Sequence, residues 1–307
     1  MPFFLGFDCG GSSTRALVID DDETIVFEGK GGSANVSSTP LDTLHQSMAE
    51  ATNGLREIQS IVGCFAGLLG SESHRTALAS LDLVQRGVPK EAYADYMAAL
   101  AAAPEGTDIV VVSGTGSVVC SWKDGKAVKS GGGGPILGDD GSAFDVGRKA
   151  VQNLCLSNLE EPASDRLWAK ITETFGTAER QEIVSLISRS NSVAKDLAQL
   201  APIVGSDFEL GYIYARLAVD QAMSGLRNIV QQHSWSHIED RPMINVAIGG
   251  GLWDASPAFQ KRFETLLNIS NKADQTTAKS RQYHVARLGT PPVMGAARLA
   301  KRLFYGN

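Results

Sequence analysis

One pattern occurs twice in this chain, and it constrains the fold more than any other feature. A strand-like run, Phe3 to Asp8, leads into a Gly/Ser/Thr turn at 10–14. Arg15 to Ile19, the polar turn Asp20-Asp21-Asp22-Glu23 and a third run, Thr24 to Glu28, follow. From Asp108 the same order returns: Asp108 to Val112, the turn Ser113–Ser117, Val118 to Trp122, the Asp124-Gly125 hairpin signal and Lys126 to Lys129. Strand, glycine turn, strand, polar turn, strand reads as a β-meander rather than a β-α-β opening. Its repetition predicts an α/β chain built as an internal duplication.

The remaining pattern fills in helices. Pro40 to Gln59 has helical spacing, with Leu41, Leu44, Met48 and Leu55 on one stripe. Ile61 to Leu69 reads as a short strand, and two helical stretches follow near 72–86 and 91–103. After a glycine-rich segment at 130–147, helices dominate from about 142 to 234, and Ile244 to Ile248 is a further strand. Pro291 to Tyr305 is an amphipathic helix opened by a Pro pair. The expected division is 1–114, 115–290 and a closing helix at 291–307 that crosses back to the first domain. A chain of 307 residues suffices for two such domains.

Net charge of −6 disfavours a nucleic-acid or anionic-membrane partner. It leaves phosphate ligands open, because loops and helix ends bind phosphate without net positive charge. No stretch approaches the roughly 20 apolar residues of a membrane span. The cysteines Cys9, Cys64, Cys120 and Cys155 form no CxxC pair, and the start MPFFLGFDCGG has no basic leader region. The expectation is a reduced, cytoplasmic protein.

The turns carry the chemistry. In Asp8-Cys9-Gly10-Gly11-Ser12-Ser13-Thr14 the backbone N–H groups can converge on an anion, glycine permits close approach, and hydroxyls add donors. Asp8, at the strand end, could hold magnesium through water. Ser113-Gly114-Thr115-Gly116-Ser117 has the same setting. Either turn alone is equally a hairpin that needs glycine; two in duplicated settings favour phosphate binding. Neither ends in the GK[ST] of a Walker loop, and strands rather than helices follow, unlike a Rossmann fingerprint. Gly249-Gly250-Gly251, after a strand, reads alone as a tight strand-to-helix turn, and could make room for a base or ribose.

FDCGGSSTRALVID at 7–20, VVVSGTGSVV at 110–119, VAIGGGLW at 246–253 and PPVMGAARLA at 291–300 together resemble, in order, the two phosphate motifs, the adenosine motif and the closing helix of the sugar kinase, Hsp70 and actin superfamily. Within it the chain is most similar to the BadF/BadG/BcrA/BcrD-type ATPase group that contains N-acetylglucosamine and glucosamine kinases. SGTGS at 113–117, GDDGSAFDVG at 138–147 and GSAN at 32–35 carry that resemblance. It implies duplicated ribonuclease H-like (actin-like ATPase) domains with a nucleotide cleft between them, MgATP as cofactor and an amino sugar phosphorylated at the 6-hydroxyl. Assembly as a homodimer is possible.

The resemblance also implies roles. Asp95, eighteen positions before Ser113, corresponds to the base that accepts the sugar hydroxyl proton; read alone it is more readily a helix-capping Asp, and the glycine turns shift the reading to catalysis. Gly10, Gly11, Ser12, Ser13, Thr14, Gly114, Thr115, Gly116 and Ser117 would hold phosphates, and Gly249, Gly250 and Gly251 the adenosine. Asn35, Gly70, Thr115, Ser130, Gly132 and Asp139 would face the sugar. Gly131-Gly132-Gly133-Gly134-Pro135 stands where N-acetylglucosamine kinases often have Gly-Gly-Trp-Gly, and loss of that aromatic wall would change how the 2-substituent is held. The five histidines show no metal spacing. Two other readings stay open. An acyl-CoA dehydratase activator would place a cluster-binding cysteine before the second turn, where Val110-Val111-Val112 stands; a sugar sensor would carry a DNA-binding segment ahead of the first strand.

Overall fold

The computed structural model describes residues 1–11, 13–55, 57–156, 163–190, 192–269 and 281–306. They form two compact units, residues 1–105 with 288–307, and residues 106–287. Among the described residues no helix is long and apolar enough to cross a membrane.

The first unit holds β1 (Phe4–Cys9), β2 (Thr14–Ile19), β3 (Ile25–Gly31), α1 (Leu41–Ala51), β4 (Ser60–Phe65), α2 (Ser71–Val84), β5 (Lys90–Ala94) and α3 (Tyr96–Ala102). Its sheet has the order β3-β2-β1-β4-β5. β1 pairs antiparallel with β2 and parallel with β4, and β4 pairs parallel with β5. Leu5, Phe7, Val18, Leu44, Met48, Ile61, Phe65 and Leu81 form one core against α1 and α2.

The second unit holds β6 (Ile109–Ser113), β7 (Ser117–Lys123), β8 (Lys126–Gly131), the short α4 (Gly134–Leu137) and α5 (Ala143–Leu156). A helical layer follows: α6 (Asp165–Phe175), α7 (Arg180–Arg189), α8 (Val193–Ala198), α9 (Ala201–Leu210) and α10 (Ile213–His237). β9 (Met243–Gly249), α11 (Gly251–Ala255), α12 (Pro257–Leu267) and β10 (Gln282–Arg287) complete it. Its sheet runs β10-β9-β6-β7-β8. Here too the first strand pairs antiparallel with the second and parallel with the fourth, so the two sheets have one strand order. On α10, Tyr214, Ala218, Ala222, Leu226 and Val230 recur every four residues and are buried against the sheet and α5.

The C-terminal helix α13 (Pro292–Tyr305) packs in the first unit against β1 and α3. Small residues make this possible. A Cβ on Gly6 would lie 2.1 Å from the Ala297 nitrogen, and one on Gly295 would lie 2.0 Å from the Ala98 oxygen. Backbone thus meets backbone at the helix that Asp95 starts.

Four sequence expectations are corrected. The unit boundary precedes β6 instead of falling at 114, because β6 hydrogen-bonds to β7 and β9 and belongs to the second sheet. The helix expected over 91–103 begins as strand: Lys90–Ala94 pairs with β4, and the helix starts only at Tyr96. The helix expected over 40–59 ends at Ala51. The strand expected to Leu69 stops at Phe65, where Ala66 turns to donate to the Cys9 oxygen.

Candidate active site

In the first unit, one strand exit organises the candidate residues. The strands β1, β4 and β5 are parallel and end on the same edge, the edge where open α/β sheets bind ligands. Ala66 N–H donates to the Cys9 carbonyl at 2.8 Å, and Asp95 N–H donates to the Phe65 carbonyl at 3.1 Å. Val36 N–H donates to the Ala66 carbonyl at 3.0 Å, and Ala34 N–H donates to the Gly10 carbonyl at 3.3 Å. Residues 65 and 66 therefore tie together the first glycine turn, the Asn35 loop and Asp95, which are distant in sequence.

Asp95 is exposed at the N-cap of α3, and its carboxylate accepts from the Tyr96 N–H at 2.9 Å. The capping role is real, and it leaves the carboxylate at the sheet edge. Asp8 ends β1 opposite Arg15 of β2. Burial, and then the Asp95 carboxylate, push the Asp8 carboxyl up to about 6, while Arg15 opposes them. Two carboxylates that close repel each other, a cost that a bound cation would remove.

That shift has a measurable consequence. The folded pKa of Asp8 lies above its ordinary 3.8, so ionisation costs the fold nothing below about pH 4 and its full amount above about pH 6. Asp8→Asn is therefore expected to stabilise the protein at pH 7.5 by about 1–3 kcal/mol, with the gain vanishing toward pH 4. Urea melts at both values check this; a less stable variant at pH 7.5 would contradict it.

The first turn closes with a hydrogen bond from Gly10 N–H to the Ser13 carbonyl at 2.9 Å. Gly11 and Ser13 are exposed, whereas Thr14 is fully buried at the start of β2 and turns no hydroxyl outward. Ser12 lies outside the described residues. Asn35 Oδ1 accepts from Ser37 N–H at 2.9 Å and Ser37 Oγ at 2.8 Å, which fixes the amide and leaves Nδ2 available. Gly70 caps α2, exposed, with its N–H donating to Ser73 Oγ at 3.1 Å.

In the second unit the turn between β6 and β7 closes by Gly114 N–H donating to the Gly116 carbonyl at 2.9 Å, with Thr115 exposed at its tip. The segment after α4 clasps it. Asp139 is buried, and its Oδ1 accepts from Ser117 N–H at 3.2 Å. Gly250 (φ 101°) presses on the foot of the same turn: a Cβ there would lie 2.3 Å from the Ser113 oxygen. Gly249 ends β9, and its carbonyl accepts from Nε1 of the buried Trp253 at 2.9 Å. Gly251 is exposed with open space where a side chain would be. The three glycines thus form a bare strand-to-helix step beside the second turn.

Ser130 has another partner than a sugar. Its Oγ lies 2.8 Å from Nδ1 of the fully buried His233, whose Nε2 lies 2.9 Å from Ser121 Oγ. Burial and then His237 hold the His233 ring down to about 4, so it is neutral and clamps β7 and β8 to α10. No spacing rule pairs residues 130 and 233. Gly132 (φ 66°) sits beyond this clamp against Val118. Among the described residues no group of three or more metal-ligating side chains occurs.

Two sheets of one strand order, each with a glycine turn between its first two strands, define an α/β class distinct from Walker and Rossmann proteins, in which a helix follows the loop. The chain belongs to the BadF/BadG/BcrA/BcrD ATPase family, whose model matches residues 5–299. It is 28% identical over 284 residues to an N-acetylmuramic acid/N-acetylglucosamine kinase of Clostridium acetobutylicum, covering 88% of this chain and 92% of that one. An N-acetyl-D-glucosamine kinase of Dictyostelium discoideum is 19% identical over 247 residues, covering 74% and 77%. A solved structure from Chromobacterium violaceum, provisionally assigned as an N-acetylglucosamine kinase, superposes with a TM-score of 0.67 at 21% identity, over 98% of this chain and 99% of that one. This last likeness speaks for the fold.

Proposed function

We propose that the protein is an ATP-dependent kinase of an amino sugar, N-acetylglucosamine or glucosamine, acting at the 6-hydroxyl, on a duplicated ribonuclease H-like fold. The observation that carries the reading is the convergence of Asp95, Asp8, the first glycine turn and the Asn35 loop on the exit of β4. The names of the two relatives in sequence, both kinases of N-acetylated amino sugars, support the substrate class.

In this reading Asp95 accepts the proton of the sugar hydroxyl as its oxygen forms a bond to the γ-phosphorus and the bond from that phosphorus to the β-phosphate oxygen breaks, releasing ADP. In the first unit the N–H groups of the turn at 10–14 hold phosphate and Asn35 Nδ2 donates to a sugar hydroxyl, with Gly70 beside it; in the second unit the N–H groups of the turn at 114–117 hold phosphate. The step at Gly249–Gly251 lets adenosine approach the backbone. Asp8 fits magnesium, held through water: it is an oxygen donor whose ionisation the neighbouring Asp95 disfavours. When bound, that ion neutralises phosphate charge.

The activator reading finds no such support. Val110-Val111-Val112 stands before the second turn, where that reading needs a cysteine, and Cys9, Cys64 and Cys120 are buried in the two cores while Cys155 is partly exposed. Phosphorus NMR of the product tests the proposal. A 6-phosphate of N-acetylglucosamine or glucosamine is expected; a phosphate at the anomeric carbon, or none on either sugar, would refute it.

A further inference from the structure

The segment that leaves β4 turns one large apolar side chain outward. Leu68 packs against the core of the first unit, whereas its neighbour Leu69 is 80% exposed. An apolar residue just ahead of a helix N-cap can fold back onto the residue at N4 as a staple. Here Gly70 is the N-cap of α2 and N4 is His74, whose Nε2 lies 3.3 Å from Glu91 Oε1. Leu69 stays in solvent, so the staple does not form.

Its backbone is nonetheless fixed. The N–H groups of Leu69 and Gly70 both donate to Ser73 Oγ, at 3.0 and 3.1 Å, and that hydroxyl donates to the Gly70 carbonyl at 2.9 Å. On the other side, Gly67 (φ 76°) presses on the Asn35 loop: a Cβ there would lie 2.3 Å from Asn35 Oδ1 and 2.4 Å from Ser37 Oγ. Ala66 bonds the same loop through Val36 and the first glycine turn through Cys9. Leu69 is thus held two residues from the contact with Asn35, on the strand exit that also carries Asp95.

This edge offers a donor, Asn35 Nδ2, and an acceptor, the Asp95 carboxylate. The N–H groups of Leu69 and Gly70 are spent on Ser73, so what Leu69 adds is alkyl surface. Glucose presents hydroxyls there, and glucosamine an ammonium that loses hydration against an alkyl group. Of glucose, glucosamine and N-acetylglucosamine, only the last carries a methyl group, which gains from leaving water. We infer that Leu69 is a specificity-determining residue that receives this methyl, so that the protein acts on N-acetylglucosamine in preference to glucosamine. The inference rests on the kinase reading and deepens it by choosing between its two sugars.

Steady-state kinetics with both sugars, on wild type, Leu69→Ala and Leu69→Met, test it. Wild type is expected to show the higher kcat/KM for N-acetylglucosamine. Leu69→Ala is expected to raise the KM for N-acetylglucosamine roughly tenfold, the scale of one or two lost methylene contacts, with kcat and the glucosamine KM within about twofold of wild type. Methionine returns alkyl surface, so Leu69→Met is expected to recover the N-acetylglucosamine KM to within about threefold. Melting temperature and ADP affinity should match wild type in both variants, because the side chain is exposed. An equal change for both sugars, an unchanged KM in Leu69→Ala, no recovery in Leu69→Met, a fall in melting temperature or ADP affinity, or a wild type that prefers glucosamine would each overturn the inference and leave the kinase reading standing. A wild type that phosphorylates neither sugar overturns both.

Discussion

Asp95→Asn is expected to lower kcat by roughly 10²- to 10⁴-fold, the range attributed to a positioned general base, while ADP affinity stays within a few-fold of wild type. The substitution keeps the cap. Asparagine is as good an N-cap as aspartate, and its Oδ1 can accept from the Tyr96 N–H as the carboxylate does. The Asp95 N–H remains bonded to the Phe65 carbonyl, so α3 stays docked at the strand exit. What is lost is the ability to take a proton and the negative charge beside Asp8. Removing that charge brings a second, independent signature: the Asp8 carboxyl is expected to titrate lower in Asp95→Asn, readable by NMR. A variant with near-normal turnover would mean that another group is the base.

Gly250→Ala is expected to be the most damaging single-methyl change in the second unit. The backbone there has φ 101° and ψ 158°, a region open essentially to glycine alone. An added Cβ would also lie 2.3 Å from the oxygen and 2.6 Å from the carbonyl carbon of Ser113. Those atoms are backbone at the foot of the second glycine turn and cannot swing aside. Strain and overpacking together should cost about 2–5 kcal/mol of stability. Whatever relief occurs must push the turn off Gly250, so ADP binding should weaken by more than roughly tenfold even below the melting temperature. Gly251→Ala is the control: nothing lies within 4 Å of its Cβ, so its melting temperature should match wild type. If Gly250→Ala melts and binds ADP like wild type, the close approach of the glycine step to the turn is wrong.

The parts legible in the sequence were those written locally. The glycine turns stand between runs of apolar strand residues, so their positions and their equivalence could be read directly, and the shared strand order β3-β2-β1 and β8-β7-β6 follows from them. The two strands that were missed, β5 and β10, are edge strands at equivalent places in the two sheets. Lys90-Glu91-Ala92-Tyr93-Ala94 has only Ala92 fully buried, and Gln282–Arg287 only Tyr283. Strands that bury one residue in five or six carry no apolar alternation, and their parallel partners lie distant in sequence. Missing β5 had a consequence for the site. Asp95 reads as the start of a helix, which it is, but its place one residue past a parallel strand is what brings it to Asp8.

Ser130 and Asp139 show the same limit from the other side. Motif position pointed both at the sugar. Their hydrogen-bond partners, His233 and Ser117, lie 103 and 22 residues away, and no local rule reveals either bond. Burial bears on both: a half-buried serine hydroxyl and a buried carboxylate each need a partner, and the fold supplies one from a distant segment. The N-cap of Asp95, by contrast, is a contact between neighbours and could be read from the chain alone.

The central claim is phosphoryl transfer from ATP to an amino sugar, and coupled ADP release tests it most directly. With MgATP in excess, purified protein should release ADP when N-acetylglucosamine or glucosamine is added, and glucose should support less. ADP release that ignores added sugar, or none with any of N-acetylglucosamine, glucosamine, N-acetylmuramic acid and N-acetylmannosamine, would contradict it.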